Sequence, residues 1–226
     1  SNDARGTTIT VDPKTGDPAL QVDPLVRSKG AEIGVRSTWV PGLNSTLAFW
    51  YLHLDSELLF VGDAGITEPS RGSNRYGVEW TNFYKPLPWL TLDFDIAYSH
   101  AKFTGNDPAG NHIPGSIETT IATGATIDLP NGIFGSLRTR YFGPRPLIED
   151  NSVRSKATTL VNLQAGYKYK NLQAQIDVLN LFNSDQHDID YFYVSRLQGE
   201  PTDGVADIHF HPAEPRTVRF YLTYRF

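Results

Sequence analysis

The 226-residue chain contains no cysteine, so a disulfide framework and a thiolate metal centre are both excluded. Methionine is absent as well and the chain opens on Ser1; a mature, trimmed or partial chain is expected. No charged stretch followed by an apolar run stands near Ser1, so no signal peptide is expected within these residues. No segment approaches the ~18 consecutive apolar residues of a membrane-crossing helix. That leaves β-strand spans open, because alternating strands carry a weak hydropathy signal. There is no basic stripe: the net charge is −5, with both signs interspersed, which argues against nucleic acid as a partner. Nucleophile elbow, phosphate loop and dinucleotide fingerprint are all missing. Ser99 and His100 are chain neighbours and would point to opposite faces of a strand. His53, His100 and His112 lie in separate regions, so no triad converges. The chain is not expected to be an enzyme, and no cofactor is expected.

What the chain does have is period-two alternation and many aromatics, with 11 Tyr and 12 Phe. Nine strands are expected at about 30–40, 45–60, 75–84, 90–99, 117–129, 133–141, 161–169, 172–178 and 218–226. The fourth is the cleanest: Leu90, Leu92, Phe94, Ile96 and Tyr98 alternate with Thr91, Asp93, Asp95, Ala97 and Ser99. In eight of the nine, one parity is free of charge and the other carries Arg, Lys, Asp, Glu or Gln. Faces are least clear in the second strand, where Leu47, Phe49 and Tyr51 oppose Trp50, Leu52 and Leu54. Connections alternate in length. Short turns stand near residues 41, 86, 131 and 171, the third an Asn-Gly hairpin turn. Long loops stand near 68, 110, 150 and 200.

A soluble sandwich also alternates, but it has no reason to keep long and short loops in step. A membrane barrel does, with short turns on one side and long loops on the other. The strands are also ~10 residues or longer, enough to cross a bilayer at a tilt, where soluble strands average nearer 5–6. The uncharged parity would face lipid and the charged parity a wet lumen. Since unpaired backbone groups are not tolerated in hydrocarbon, the sheet must close in the membrane. The fold class is therefore all-β: an antiparallel up-and-down meander forming part of a transmembrane barrel. Trp39, Trp80, Trp89, Tyr84, Tyr167 and Tyr169 are expected near the short turns, where amphipathic rings suit the headgroup level.

Three segments then resemble the C-terminal barrel portion of TonB-dependent outer-membrane receptors. Val178-Leu179-Asn180-Leu181-Phe182-Asn183 resembles that family's penultimate-strand signature. Phe220-Tyr221-Leu222-Thr223-Tyr224-Arg225-Phe226 resembles its aromatic-ended final strand. Arg140-Tyr141-Phe142-Gly143-Pro144-Arg145-Pro146-Leu147 resembles the outer end of an earlier strand. A glycine common near the terminus is replaced by Tyr221. The resemblance implies that residues 1–226 are the C-terminal part of a larger barrel, with the plug domain absent and residues 1–27 an extracellular loop. It implies bacterial outer-membrane localisation and energy-coupled uptake of a scarce solute, an iron-siderophore chelate being the commonest class. Implied partners are the bilayer, the TonB energy-coupling complex through the missing plug, the barrel-assembly machinery reading Tyr224 and Phe226, and a small-molecule or metal-chelate ligand. A passive porin and a soluble β-rich module are the rival readings.

Candidate site residues fall in two groups. On the charged parity, Arg36, Glu79, Asp93, Asp95, Arg138, Arg140, Asp177 and Arg219 would line the substrate path. Arg138 and Arg140 share one face and suit an anion. In the long loop at 184–214, His187, Tyr191, Tyr193, Arg196, His209 and His211 are the ligand-contact candidates. His209 and His211, at i and i+2, would point the same way on an extended segment, a chelating spacing. The plainer expectation is a polar loop packed over the barrel mouth, with no metal site.

Overall fold

The computed structural model describes residues 26–61 and 66–226. Most of the stretch expected as an extracellular loop, residues 1–25, lies outside them. The strands are β1 (Ser28–Ser37), β2 (Leu43–Leu54), β3 (Leu58–Val61), β4 (Ile66–Pro69), β5 (Ser73–Leu87), β6 (Leu90–Phe103), β7 (Thr119–Asp128), β8 (Ile133–Phe142), β9 (Thr158–Tyr169), β10 (Leu172–Leu179), β11 (His187–Ser195), β12 (Val205–Pro212) and β13 (Thr217–Tyr224). Nine of them form one sheet in the order β1-β2-β5-β6-β7-β8-β9-β10-β13. Every neighbouring pair is antiparallel. This is a meander with β1 and β13 as open edges, as the alternation predicts. The remaining four strands pair as the hairpins β3–β4 and β11–β12; β4, β11 and β12 lie in segments read above as loops, whereas β3 takes up the end of the stretch read as the second strand at 45–60, which stops at Leu54 where the chain leaves the sheet.

The register resolves the two faces. Ala31, Ile33 and Val35 oppose Tyr51, Phe49 and Leu47, which oppose Tyr76, Val78 and Trp80, which oppose His100, Tyr98 and Ile96. The same face continues through Ile121, Leu137 and Leu163 to Val178 and Val218. This settles the second strand: Leu47, Phe49 and Tyr51 lie on the uncharged side, and Trp50, Leu52 and Leu54 on the other. Tyr76 and Tyr84 are eight residues apart on this face of β5, about 27 Å along the strand. At a tilt near 40° that is about 20 Å of membrane depth, within a barrel's apolar band. Trp39 is 94% exposed beyond β1, and Trp89 occupies the β5–β6 turn. Trp80 departs from its expected place near a strand end. It lies well inside β5, edge-on to Phe94 with centroids 5.7 Å apart.

The exposure pattern decides between sandwich and barrel. Ile33 is 74% exposed, Phe220 78% and Leu222 74%. The described hydrophobics that are buried, Phe103, Ile113, Phe134 and Leu147, do not lie on that face within the sheet. The apolar side chains therefore do not meet across a protein core, and only hydrocarbon would remove them from water. On the opposite face, glycines receive large side chains from the next strand. A Cβ on Gly124 would stand 2.7 Å from the Asp93 carboxylate, and one on Gly166 would run into the Phe134 ring. Lys168 Nζ caps that ring at 4.8 Å and pairs with Asp128 at 2.9 Å.

Candidate ligand-capture site at the long-loop end

All the short turns lie at one end of the sheet. The other end carries the long connections, and residues 143–157 between β8 and β9 are their hub. Pro144 and Pro146 deny helical conformation to the residues before them, and the segment folds into its own turn, with a backbone bond from Leu147 N to Val153 O at 2.9 Å. From it three side chains reach three other segments. Glu149 accepts from Arg71 Nη2 at 2.5 Å, just before β5, and Arg71 also stacks over Phe103 at 4.8 Å. Arg154 reaches Glu118, ahead of β7, at 2.5 Å and Pro144 O at 2.8 Å. Arg145 reaches Asp190 on β11 at 3.0 Å. A fourth pair, Arg75 with Glu57, ties β5 to the β2–β3 connection. Nearby, Asp150 accepts from Ser152 N at 2.9 Å. That backbone donor, aided by the Ser152 side chain, holds its carboxyl below the ordinary aspartate range.

The Arg145–Asp190 pair is the buried one, with side chains 5% and 1% exposed. His187 Nδ1 lies 2.5 Å from the other Asp190 oxygen, and its ring stacks on Phe210 at 3.6 Å between centroids. Tyr193 stacks on His209 at 3.8 Å. Thr158 Oγ1 donates to His187 O at 2.7 Å. Thr158 has the parity of Leu160 and Asn162 on the charged face, so the β11–β12 hairpin leans against the inner side of the sheet. Its root is held by the Asn180-Leu181-Phe182-Asn183 turn. Asn180, buried and at φ 48°, donates from Nδ2 to Ser184 O and Glu214 O at 3.0 Å each. Its Oδ1 accepts from Ser184 N at 3.0 Å, and Asn183 Oδ1 accepts from Arg216 N at 2.9 Å. Asparagine tolerates the left-handed backbone and bonds locally, which explains the motif physically.

The loop candidates therefore converge on one hairpin, but not on one point. His209 and His211 do share the extended strand β12, as their spacing requires. His209 is packed against Tyr193 with its Nε2 buried and without a hydrogen bond, whereas His211 is exposed. Tyr191 opposes His209. Arg196 lies past the end of β11, its Nε on Glu200 O at 3.3 Å. Among the described residues no group of three or more His, Asp or Glu is placed to hold a metal ion.

On the charged face the register assembles a narrower patch. Asp93 lies across Gly124 and meets Arg138 at 3.4 Å. One row along, Asp95, Ala122 and Arg140 are cross-strand neighbours. Asp95 Oδ1 is buried without a protein partner, and Arg140 sits 5.6 Å over the Phe142 ring. Glu79 is exposed between Ala48 and Ala97. Arg36 Nε reaches Thr46 Oγ1 at 3.4 Å. Asp177 and Arg219 oppose each other in register yet bond elsewhere, Asp177 to Gln175 at 2.9 Å and Arg219 to Glu214 at 3.6 Å. Reading candidates strand by strand passed over the clamps Arg71, Arg75, Arg154 and Glu149; Arg145 and Asp190 were visible only as members of a motif and a polar loop. Ser99 and His100 part as expected: Ser99 Oγ donates to Ile117 O at 2.9 Å, while the His100 ring lies against Tyr76 on the other face.

An open antiparallel meander with one apolar and one charged face, short turns at one end and a clamped loop layer at the other, defines a segment of membrane β-barrel. The family model described as TonB dependent receptor-like, beta-barrel matches residues 6–181, and the chain belongs to that family. Its members are outer-membrane barrels of Gram-negative bacteria, transport receptors and not enzymes. No curated protein matches the sequence. Among solved structures, the ferric-catecholate import receptor Fiu of E. coli K12 aligns with a TM-score of 0.66 at 20% identity, over 88% of this chain and 27% of its own. The ferric yersiniabactin uptake receptor FyuA of Yersinia pestis gives 0.67 at 20%, over 88% and 30%. BauA, the ferric preacinetobactin receptor of Acinetobacter baumannii, gives 0.63 at 15%, over 96% and 31%. These likenesses concern the fold, and the chain spans less than a third of each receptor.

Proposed function

We propose that residues 1–226 are the C-terminal part of an outer-membrane receptor that takes up a scarce solute with energy from the TonB complex, the solute being an iron-siderophore-type chelate. The observation carrying this reading is the β11–β12 hairpin, pinned by Arg145–Asp190 against the inner side of the sheet. It presents stacked aromatics and imidazoles above a charged lumen face. Flat aromatic surface suits capture of a bulky chelate, and the names of Fiu, FyuA and BauA refer to ferric compounds. The Arg138–Arg140 row, with Asp93 and Asp95 across it, would meet an anionic solute moving inward. Energy coupling would come through a plug carried by another part of the receptor. Tyr224 and Phe226, edge-to-face at 5.2 Å, would be read by the barrel-assembly machinery. Family membership speaks against a passive porin.

The test is uptake of a panel of radiolabelled ferric chelates by cells carrying the whole receptor, with and without the proton-motive force. The reading expects energy-dependent accumulation of at least one chelate, and loss of its binding when residues 187–212 are replaced by a short turn. Accumulation that ignores the energy source, or no chelate transported at all, would overturn it.

A further inference from the structure

Within the nine-stranded sheet, the uncharged face carries two formal charges, Lys29 and Lys102, and the register sets them in one row. Lys29 opposes His53, His53 opposes Asn74, and Asn74 opposes Lys102; His112 continues the row through an isolated bridge to Lys102. Three interstrand steps separate the lysines, about 14 Å. The row next toward the membrane is Ala31, Tyr51, Tyr76 and His100, about 7 Å down the strand. The lysines thus stand just above the tyrosine level, where lipid headgroups lie. Tyr51 Oη donates to Asn74 Oδ1 at 2.9 Å, and His53 Nδ1 meets the same oxygen at 2.8 Å, so the row between the lysines is ordered. Asp55, 3.2 Å from His53 Nε2, is the acid beside it. Neither lysine has an ion-pair partner among the described residues. At the long-loop end of β7, β8 and β9, Thr119, Tyr141 and Thr159 occupy this face without charge.

An occupant must lay apolar chains along Ile33, Phe49 and Val78 while offering anionic groups at the Lys29–Lys102 row. We propose that this row is a binding site for the phosphate groups of an outer-leaflet glycolipid, the two lysines holding phosphates separated by a sugar spacer. The charge complementarity and the position at the headgroup level carry the assignment, which is independent of what the receptor transports. Removing both cations from an anionic lipid surface should weaken lipid retention about 30-fold.

The whole receptor, extracted from outer membranes in mild detergent, would be weighed by native mass spectrometry beside K29Q/K102Q and a control with Lys168 and Lys170 replaced by Gln. Expected is one phosphorylated glycolipid retained by wild type and control and lost from K29Q/K102Q, with K29R/K102R restoring it. Re-addition of the dephosphorylated glycolipid should give no binding, and excess inorganic phosphate should not strip the bound lipid. Equal retention by wild type and K29Q/K102Q, equal loss in the control, binding of the dephosphorylated form, or stripping by inorganic phosphate would each overturn the proposal. Resistance to heat unfolding in detergent checks that every variant holds its barrel.

Discussion

Replacing Arg145 with alanine should free the β11–β12 hairpin and leave the barrel intact. Arg145 and Asp190 are 5% and 1% exposed and 3.0 Å apart. Removing Arg145 leaves Asp190 buried with only His187 Nδ1 beside it, and breaking a buried pair in this way costs about 3–5 kcal/mol. The loss falls on the hairpin, because Asp190 belongs to β11 while Arg145 remains on the hub. If opening of the hairpin is cheaper than unfolding of the sheet, its amides will exchange about two to four decades faster. The assay is hydrogen exchange followed by mass spectrometry on the receptor in detergent, comparing peptides from 187–195 and 205–212 with a barrel peptide from 133–142. A second variant separates burial from charge. R145M/D190L puts apolar groups of similar size in place of both ions and should recover most of the protection, since well-packed apolar replacements of buried pairs are often neutral or better. If R145A exchanges like wild type, or if β8 loosens as much as the hairpin, the clamp does not work as described.

Three further outcomes can be checked by simpler means. Leu163→Lys, on the uncharged face near the middle of β9, should cost about 2–4 kcal/mol in urea-driven folding into lipid vesicles, while Gln164→Lys one residue on should be nearly neutral; equal costs would mean the faces are assigned wrongly. Gly124→Val pushes a side chain into the space of the Asp93 carboxylate, 2.7 Å from the first added carbon, and should destabilise by about 1–3 kcal/mol in the same assay, with the Asp93–Arg138 pair broken. By NMR, Asp150 should titrate below the ordinary aspartate range, because the Ser152 backbone N–H stabilises its charged form. The support it lends its turn is present at neutral pH and lost as pH falls through that lowered value, and Ser152→Ala should leave most of the depression in place.

The membrane sheet was legible because its physics is local. Val161 to Tyr169 and Leu172 to Val178 alternate without interruption, and each alternation states which side meets hydrocarbon. Strand ends were less legible. The apolar signal fades at Ala31 and Tyr98, but backbone pairing runs on to Ser28 and Phe103, because hydrogen bonds continue until a partner is lacking. That overrun brings Lys29 and Lys102 onto the uncharged face. The β11–β12 hairpin was hidden for a different reason. Asp188 and Asp190 share a parity with Phe192, while Ile189 and Tyr191 share another with His187, so neither face reads as buried. Asp190 becomes buried through Arg145, 45 residues away, and no window of sequence shows that. Alternation puts Asp177 and Arg219 on one face but does not choose their partners: they sit opposite each other and answer to Gln175 and Glu214.

The two halves of the structure are held by different forces, and that bears on how the loop layer could change while the sheet stays the same. In the sheet, the backbone ladder and the hydrocarbon outside do most of the stabilising, since few side chains are buried and unpaired backbone is intolerable in lipid. In the loop layer, water is present and neither force is available in full. There the arginines tie loop to loop: Arg71 to Glu149, Arg154 to Glu118, Arg145 to Asp190. Each of these joins residues 143–157 to another connection, and none of the three anchors in the membrane span. The layer can therefore be re-cut as a unit, with the hub exchanged together with its partners, while the strands beneath keep their register. Swapping one loop alone would strand a charge on another, so substitutions that the layer tolerates should come in matched sets around residues 143–157.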